Sequence, residues 1–388
     1  MMYDLIIVGA GPGGASAAYT LGEAGYRVLV LEKETLPRYK PCGGGLSVHA
    51  LEKYLPFSFE PVIAERVEQI SYAFGDQRLT VPLQDRSMVM VMRDQLDPFI
   101  LSHARVEVEQ GTPVQRIEEH PDYVVVETKD GRAYQSRFLV GADGANSIVA
   151  KSIGLRRNKV LVAAIEAETS VSDETLKRFS STPLFIFGQI QPGYLWVFPK
   201  ADHLSVGIAA LHPKPGQLQS TLQRVMSRYN ICLNDATFHG HPIPIYTGRE
   251  PIATHRVLLV GDAAGLADPF SGEGIRIAIK SGHYAAVSIL SNQVDQYQGF
   301  VDRHIGSSQI LGLGLGQIFY TLPRLCFDLG VRNPLATRVV MDLLSDRIGY
   351  AQVILRLFGT LPYSLMVRGT QALFRHSGGQ NRPQHKTI

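Results

Sequence analysis

The feature that most constrains this chain is a glycine-rich turn near its N-terminus. The apolar run 5–8 predicts a short strand buried on both faces, as in a parallel sheet. Gly9, Gly11 and Gly14 follow it in the spacing G-x-G-x-x-G. The first glycine permits a tight turn, the second lets a pyrophosphate approach the backbone, and the third lets the next helix pack closely on the strand. The sequence therefore predicts a turn shaped around a phosphate group.

The residues after this turn complete the pattern of a dinucleotide site. Small apolar residues recur at helical spacing over 15–24, and a second apolar run, Val28–Leu31, leads directly to Glu32. The start of the helix offers free N–H groups and a positive dipole to phosphates. Glu32 is placed to accept a hydrogen bond from a ribose 2′-hydroxyl and would repel a 2′-phosphate. We therefore predict FAD or NAD rather than NADP, with a purely structural glycine turn as the alternative.

Composition and patterning limit the classes of function. The chain has 388 residues, a net charge of +3 and 45% apolar residues, which is typical of a globular protein with a sizeable core. Basic residues form no cluster interleaved with aromatics, so we expect no nucleic-acid partner. The three cysteines, Cys42, Cys232 and Cys326, have no metal-ligand or disulfide-framework spacing, so we expect no metal. With no signal-peptide pattern and no run of about 18 apolar residues, we expect a cytoplasmic protein, with contact at an anionic membrane surface as an alternative.

Three further segments are placed to face a bound cofactor. Pro41 and Cys42 precede three glycines, and this loop follows the ribose acid closely enough to wrap a cofactor; a surface loop is the alternative. Arg93 ends the apolar strand 88–92, where a phosphate or ring partner is favoured over a surface cation. Asp143 and Gly144 lie in a turn after the strand predicted over 133–140.

A second glycine-rich turn lies late in the chain. The apolar strand 256–260 leads into it, and a helix is predicted from about 275 to 290. Helix N-termini favour anions, so this is a second place for a phosphate or a developing negative charge. The positions of interest in the turn are Gly261, Asp262, Gly272, Gly274 and Ile275.

The order of these segments predicts an α/β protein with a discontinuous Rossmann-like dinucleotide-binding domain over 1–160 and 253–300. The intervening segment 161–252 reads as an antiparallel sheet that builds a substrate wall, and a hairpin is predicted over 67–82. The segment 301–376 reads as packed helices, with a lipid-facing surface as the alternative, and 377–388 as a disordered tail.

In combination, these segments resemble a known family. The first turn with Glu32, the turn Gly141–Gly144 and the segment Val260–Asp262 resemble the FAD-binding fold of aromatic hydroxylase and glutathione reductase type. The loop Pro41–Gly45, together with a Y-x-W-x-F-P strand at 194–199 and the run P-F-S-G-E-G-I at 269–275, is similar to the geranylgeranyl reductase family.

This resemblance implies roles for individual residues. In the family the late Gly-Asp aspartate binds the flavin ribityl chain, and the cysteine-glycine loop lies by the flavin. Together with the glycine patterns, it implies FAD contacts at Gly9, Gly11, Gly13, Gly14, Glu32, Lys33, Cys42, Gly43, Gly44, Gly45, Arg93, Val114, Asp143, Gly144, Gly261, Asp262, Gly272, Gly274 and Ile275. It also implies that Tyr194, Trp196 and Phe198 share one strand face and line an isoprenoid pocket, with an aromatic core face as the alternative.

The implied reaction is hydride transfer from N5 of reduced FAD to an isolated alkene of a prenyl chain, with a proton delivered to the other carbon. Cys42 is a candidate proton donor by location, and His203, Tyr194 and a bound water are alternatives. No second dinucleotide motif is apparent, so NADPH bound transiently, or a reduced ferredoxin as a protein partner, is the expected electron donor. Geranylgeranyl diphosphate, a chlorophyll ester, an ether lipid and a quinone tail all stay open as substrates, as does the oligomeric state.

Two rival interpretations make different predictions. A flavin-dependent monooxygenase or halogenase on the same fold would couple product formation to reoxidation of the flavin by oxygen. A flavin-bearing protein that only binds prenyl lipids would bind them without any lipid-dependent reoxidation.

Overall fold

The computed structural model describes residues 2–83 and 88–360. Its strands are β1 (Tyr3–Val8), β2 (Val28–Leu31), β3 (Gly45–Ser47), β4 (Ile63–Arg66), β5 (Gln69–Phe74), β6 (Gln77–Pro82), β7 (Met88–Val91), β8 (Glu107–Glu109), β9 (Val114–Glu119), β10 (Val124–Thr128), β11 (Ala133–Gly141), β12 (Val160–Thr169), β13 (Leu184–Phe187), β14 (Gly193–Pro199), β15 (Leu204–Leu211), β16 (His239–Ile245) and β17 (Val257–Leu259).

Its α-helices are α1 (Pro12–Glu23), α2 (Val48–Glu52), α3 (Arg93–Ser102), α4 (Ile148–Ile153), α5 (Asp173–Phe179), α6 (Gln217–Ser227), α7 (Ile275–Leu290), α8 (Tyr297–Val301), α9 (Ser307–Thr321), α10 (Pro323–Cys326) and α11 (Pro334–Leu344). A further helix covers 350–360. Short 3₁₀ turns at Glu60–Val62, Gly261–Ala264 and Val294–Gln296, and π-helical turns at Asp302–Gly306 and Phe327–Val331, complete the helical segments.

The first sheet has the order β8-β2-β1-β11-β10-β9, with β17 beside β11. Strand β1 lies between β2 and β11 and runs parallel to both. Its four apolar residues, Leu5–Val8, are at most 5% exposed. Both faces of the strand are therefore covered, which explains an unbroken apolar run where a half-exposed strand would alternate. The strand–turn–helix–strand unit predicted from the sequence is confirmed.

The second sheet has the order β16-β12-β15-β14-β13-β5-β6 and is antiparallel except for the parallel pair β5–β13. One face packs against α6, whose Leu222 and Val225 are buried with Leu195 and Val197 of β14. The opposite face carries the aromatic side chains of β14. The predicted α/β fold, a Rossmann-like domain with an antiparallel substrate sheet and C-terminal helices, is confirmed.

The second sheet differs from what the sequence predicts in two ways. The hairpin predicted over 67–82 forms, but it belongs to the second sheet and not to the first. Its strand β5 pairs with β13, and Ser71 lies opposite Leu184. Strand β16 was not predicted, since Pro242 and Pro244 interrupt its pattern. Proline is tolerated there because β16 lies at the edge of the sheet, with β12 as its neighbour within that sheet. The proposed domain boundaries otherwise stay a prediction.

The C-terminal segment is helical as far as it is described. Helices α9 to α11 and 350–360 follow the FAD-type core, while the predicted helical residues 361–376 and the tail 377–388 lie outside the described residues. Within the described ranges, no single helix is long and apolar enough to cross a bilayer. Among the described helices, one consecutive pair reaches that length and composition when its two parts are counted together. The pair is Val294–Thr321 and Pro323–Val331, and the chain bends by 108° between them.

Candidate active site

A cleft between the two sheets brings most of the predicted residues together. Its empty volume is about 1380 Å³, the open mouth included. The predicted site residues that line it are Gly11, Gly13, Cys42, Gly43, Gly44, Gly45, Arg93, Gly144, Tyr194, Trp196, Phe198, Gly261, Asp262, Gly272, Gly274 and Ile275. Segments that are far apart in the sequence therefore share one cavity.

The N-terminus of α1 is accessible from the cleft, whereas its opposite side packs tightly against the turn after β1 and against α7. A Cβ on Gly11 would meet only Arg93 Nη2, at 3.9 Å, whereas a Cβ on Gly14 would lie 2.0 Å from the carbonyl oxygen of Gly9. A Cβ on Gly282 of α7 would lie 2.1 Å from the carbonyl oxygen of Gly13. Helices α1 and α7 therefore touch backbone to backbone, and Gly9 and Gly14 shape this turn without lining the cleft.

Glu32 and Lys33, which follow β2, and Val114, which begins β9, lie outside the cleft lining. Glu32 is 3% exposed, and its Oε2 accepts a hydrogen bond from the backbone N–H of Ala10 at 2.7 Å. Its carbonyl oxygen accepts from the N–H of Thr112 at 2.8 Å, which holds the start of β9 and hence Val114 nearby. The Lys33 side chain is 69% exposed. A buried carboxylate beside the glycine turn suits the ribose role that the sequence predicts for Glu32.

Asp143 has a local structural role that the sequence did not indicate. Its Oδ1 accepts from Ser147 Oγ at 2.6 Å, and its Oδ2 accepts from the N–H groups of Ile148 and Val149 at 2.6 and 3.2 Å. These bonds satisfy free donors at the start of α4. In this turn it is Gly144, and not Asp143, that lines the cleft.

Asp262 lies among the basic side chains of His241, Lys40 and Arg93. Burial would raise the pKa of Asp262, but His241, Lys40 and Arg93 outweigh burial and lower it. His241 Nε2 lies 3.8 Å from Asp262 Oδ2, and Arg93 is itself fixed by two 2.7 Å bonds to Asp97. The Asp262 carboxylate is therefore ionised and can accept hydrogen bonds from hydroxyl groups.

The cysteine-glycine loop is fixed by a buried lysine. Lys200 is 1% exposed, and its Nζ donates to the carbonyl oxygens of Gly43 at 2.8 Å and Val91 at 2.9 Å. Burial lowers the pKa of Lys200. Gly44 has φ +69°, and a Cβ there would lie 2.0 Å from the Val91 carbonyl oxygen. The loop thus lies along the cleft in one fixed path and is not a free surface loop.

The wall formed by the second sheet has an aromatic half. Tyr194, Trp196 and Phe198 alternate along β14 on the cleft side, as predicted. The ring centroids of Trp196 and Phe198 are 6.2 Å apart. Gly207 of β15 pairs with Trp196, and a Cβ on that glycine would lie 2.0 Å from Trp196 Cζ2. The indole therefore occupies the space above a glycine, where any larger residue would displace it.

The other half of the same wall is polar. Cross-strand register places Glu166 of β12 opposite Gly207, and His239 of β16 opposite Glu166. His241 stands two residues further along β16, and all three polar residues line the cleft. The second sheet thus presents aromatic rings on one half of the cleft wall and ionisable groups on the other.

Several of these residues were missed in the sequence. The functional candidates that the structure adds are Lys40, Glu166, His239, His241, Lys200 and Gly282. Strand β12 alternates apolar and acidic residues at its end, a pattern that ordinarily indicates a solvent-facing side. Glu166 could have been predicted as a candidate because it lies in a strand of the segment 161–252, which the sequence pattern assigns to the substrate wall.

The chain matches the model of a protein family. Residues 2–293 match the family described as FAD binding domain. A protein of Methanosarcina barkeri whose name states no activity is 31% identical over 84% of this chain and 86% of its own length.

Two further relatives have names that state an activity. A geranylgeranyl diphosphate reductase of Rhodobacter capsulatus is 30% identical over 75% of this chain and 76% of its own length. A menaquinone reductase of Mycobacterium tuberculosis is 27% identical over 73% of this chain and 75% of its own length.

Solved structures share the fold. A geranylgeranyl bacteriochlorophyll reductase-like protein of Thermoplasma acidophilum superposes with a TM-score of 0.76 at 22% identity, covering 94% of this chain and 98% of that one. A flavin-dependent brominase superposes with a TM-score of 0.70 at 20% identity, covering 89% and 94%. At these identities the likeness shows the fold alone, and it is common to reductases and halogenases.

Proposed function

The chain belongs to the geranylgeranyl reductase family of FAD-dependent flavoproteins, and from that premise we propose that it saturates isolated carbon–carbon double bonds of a prenyl chain. Reduced FAD supplies a hydride with its electron pair in such chemistry. The observation that carries the proposal is the aromatic half of the cleft wall, Tyr194, Trp196 and Phe198. An isolated alkene has no charge to recognise, so apolar surface must hold it.

The residues of the cleft fit FAD. Gly11 leaves the start of α1 accessible, and Gly144 has no atom within 4 Å of where a Cβ would lie. We propose that the N-terminus of α1 holds the pyrophosphate, Glu32 the adenosine ribose and Asp262 the ribityl hydroxyls. The loop 42–45 and the start of α7 after Gly274 would then hold the flavin ring. The positive end of α7 would stabilise negative charge on a reduced ring.

The protein's own part in the reaction is to bind, orient and exclude water. An unpolarised alkene reacts only when it is held close to the donor, so fixed side chains matter more than flexible ones. Tyr194 Oη donates to the carbonyl oxygen of Ser271 at 2.6 Å, which ties the aromatic strand to the turn before α7. The centroids of Phe185 and Phe198 lie 5.1 Å apart in an edge-to-face contact. This wall can hold a prenyl chain flat without a polar anchor.

The sequence-based candidates for the proton donor differ in their surroundings. Cys42 is half-buried and lines the cleft. The Tyr194 hydroxyl proton is engaged with Ser271, and burial raises its pKa. His203 does not line the cleft. Cys42 therefore stays a candidate by position.

The cleft residues say less about the electron donor and the head group of the substrate than about FAD and the prenyl chain. We propose NADPH or reduced ferredoxin as the donor, because the described residues show no second dinucleotide turn of the kind built at Gly9–Gly14. Relatives are named for a diphosphate and for a quinone. A cleft that recognises the prenyl chain and not the head group would be compatible with both.

We also propose that the C-terminal helices contact an anionic membrane surface, which is where long prenyl substrates reside. Most of the large apolar side chains that the described structure exposes lie between 310 and 358, and Leu355 and Phe358 are 71% and 64% exposed. Arg324 and Arg338 are exposed in the same region. Apolar side chains flanked by cations are typical of a surface that lies on anionic lipid.

We predict that the double substitution Leu355→Glu and Phe358→Glu reduces binding to vesicles of anionic phospholipid by at least about tenfold, since two exposed apolar side chains that would insert into the lipid are replaced by charges that the lipid repels. Vesicle co-sedimentation measures it. Leu161→Glu, at a side chain that is 41% exposed on β12, is the control and should bind like the wild type. Equal binding of the double variant and the wild type would contradict the membrane surface.

The reaction itself is tested by following flavin absorbance without oxygen. The protein is reduced anaerobically and mixed with geranylgeranyl diphosphate or a prenylated quinone, and we expect reoxidation at a rate that depends on the prenyl compound. A flavin that stays reduced with each of these compounds, yet reoxidises with coupled product when oxygen enters, would favour the halogenase or monooxygenase. Prenyl binding without any reoxidation would indicate a lipid-binding protein.

A further inference from the structure

A carboxyl group is buried in the polar half of the cleft wall. Glu166 is 2% exposed, and its Oε1 accepts hydrogen bonds from the Cys42 backbone N–H at 2.6 Å and from Tyr39 Oη at 2.9 Å. Its other oxygen, Oε2, is buried and has no hydrogen-bond partner among the described residues. A buried unpaired carboxylate oxygen is unfavourable, so Oε2 is the atom expected to carry a proton or to face a ligand.

The surroundings of Glu166 favour its protonated form near neutral pH. Burial and then the charge of Glu168 raise the pKa of Glu166 to about 7, against the lowering effects of the Cys42 N–H, the Tyr39 hydroxyl and Lys200. The ionisable groups that face it are Tyr39 and Cys42 from the loop, Lys200 from the end of β14, Glu168 from its own strand and His239 from β16. A group with this pKa can both donate a proton and regain it at pH 7.

A row of ionisable groups extends from the neighbourhood of Glu166 toward solvent. Glu168 stands two residues further along β12, on the same face of the strand. Glu168 Oε2 lies 2.9 Å from His203 Nε2, and His203 Nδ1 lies 2.6 Å from Asp202 Oδ1. The Asp202 side chain is 86% exposed. None of Glu168, Asp202 and His203 lines the cleft, and of the three the sequence indicated only His203, as an alternative proton donor.

We propose that Glu166 is the acid that protonates the alkene, and that Glu168 and His203 return a proton to it from solvent. The inference rests on the proposed prenyl reduction. One alkene carbon receives the hydride with its electron pair from reduced FAD. The other forms a C–H bond with the proton of Glu166 as the O–H bond breaks, which leaves a carboxylate at Glu166. A solvent proton passing by way of His203 and Glu168 then restores the acid, so atoms and charge balance.

The variant Glu166→Gln tests the acid directly, because the amide keeps the shape and the acceptor for Cys42 and Tyr39 but carries no transferable proton. We expect anaerobic flavin reoxidation by geranylgeranyl diphosphate to slow by about 100-fold or more, the usual contribution of a general acid. The affinity for the prenyl compound should stay within about threefold. The wild-type rate should fall as pH rises through about 7, and this dependence should vanish in the variant.

A second readout does not depend on turnover. Infrared difference spectra between low and high pH should show the C=O stretch of a protonated buried carboxyl that titrates near pH 7 in the wild type and is absent in Glu166→Gln. Glu65→Gln is the matched control, because Glu65 is half-buried, accepts from Ser181 Oγ at 2.8 Å and does not line the cleft. The control should keep both the rate and the infrared band.

The return route has its own test. His203→Asn should leave the first turnover of protein prepared at pH 6 unchanged, since Glu166 starts protonated, and should slow the turnovers that follow. A purely structural role for His203 would slow the first turnover equally, and unchanged later turnovers would overturn the route.

These experiments distinguish a wrong assignment of Glu166 as the acid from a wrong assignment of the reaction. If the wild type reduces prenyl compounds and Glu166→Gln does so at the same rate, the acid assignment is wrong while the proposed function stands. If the wild type reduces none of them, the alkene role falls with the proposed function. The infrared band then still decides whether Glu166 holds a proton at neutral pH.

Discussion

Replacing Asp346 by Asn will lower the free energy of unfolding by about 3–5 kcal/mol, the cost of removing one partner from a buried ion pair. The Asp346 side chain is 7% exposed and is the shared partner of Lys53 at 2.8 Å, Arg276 at 3.1 Å and Lys280 at 2.9 Å. Arg276 and Lys280 lie on α7, so this carboxylate ties the end of α11 to the helix that starts at the cleft. The substitution leaves three cations around a neutral amide.

The pH dependence of this effect follows from the charge. Burial alone would raise the pKa of Asp346, but Lys280, Arg276 and Lys53 lower it well below its usual range. A carboxyl whose pKa is lower in the folded state than in the unfolded state stabilises the fold fully above its unfolded pKa of about 3.9. That stabilisation is lost as pH falls through the folded pKa. The difference between wild type and Asp346→Asn should therefore be constant from pH 5 to 8 and shrink below about pH 4.

Urea unfolding measures this difference, and a neighbouring carboxylate provides the control. Asp342 lies on α11 and pairs with Arg356 at 2.7 Å, but the Arg356 side chain is 51% exposed. Exposed pairs contribute about 0–1 kcal/mol, so Asp342→Asn should change little. If Asp346→Asn stays within 1 kcal/mol of the wild type, the cluster does not hold the C-terminal helices in place.

Gly282→Ala will destabilise the protein by about 1–3 kcal/mol, the usual cost of overpacking, and will lower FAD affinity by at least about tenfold. A methyl group at this position would lie 2.1 Å from the carbonyl oxygen and 3.2 Å from the Cα of Gly13. A backbone atom cannot rotate away as a flexible side chain can. Helices α1 and α7 must therefore separate, and the N-termini proposed to hold the pyrophosphate and the flavin ring separate with them.

Thermal unfolding and FAD titration of the apoprotein measure these two effects. Gly299→Ala is the control, since this helical glycine in α8 has no atom within 4 Å of where a Cβ would lie. It should be neutral or slightly stabilising, by about 0.4–1 kcal/mol, because alanine restricts the unfolded chain. Normal FAD affinity in Gly282→Ala would show that the backbone contact of α1 and α7 is not required for the site.

The dinucleotide half of the fold was predictable because its signals are local. A buried parallel strand at Leu5–Val8, the glycine spacing after it and the acid at Glu32 all lie within one βαβ unit, where spacing alone determines geometry. The strand face that carries Trp196 was predictable for a similar reason, since alternation fixes which side chains share a face. Which of these residues contact FAD stays a prediction.

What the sequence could not predict depends on contacts between distant segments. The hairpin β5–β6 joins the second sheet through a parallel pairing with β13, for which a local pattern holds no signal. Glu166 lies on a strand whose alternation indicates a solvent-facing side, yet loop residues Tyr39 and Cys42 cover that side. The helical pattern around Gly282 holds no signal for the backbone of Gly13 that packs against it. In each case the sequence does not show which distant segment of the chain makes the contact.

The mass of the product shows whether this cleft reduces a prenyl alkene. The protein is incubated with geranylgeranyl diphosphate and excess chemical reductant, once without oxygen and once under ¹⁸O₂, and the prenyl products are analysed by mass spectrometry. We expect products that are heavier by the mass of one pair of hydrogen atoms for each reduced bond, formed equally well without oxygen and containing no ¹⁸O. Product that forms only with oxygen and carries ¹⁸O would contradict prenyl reduction.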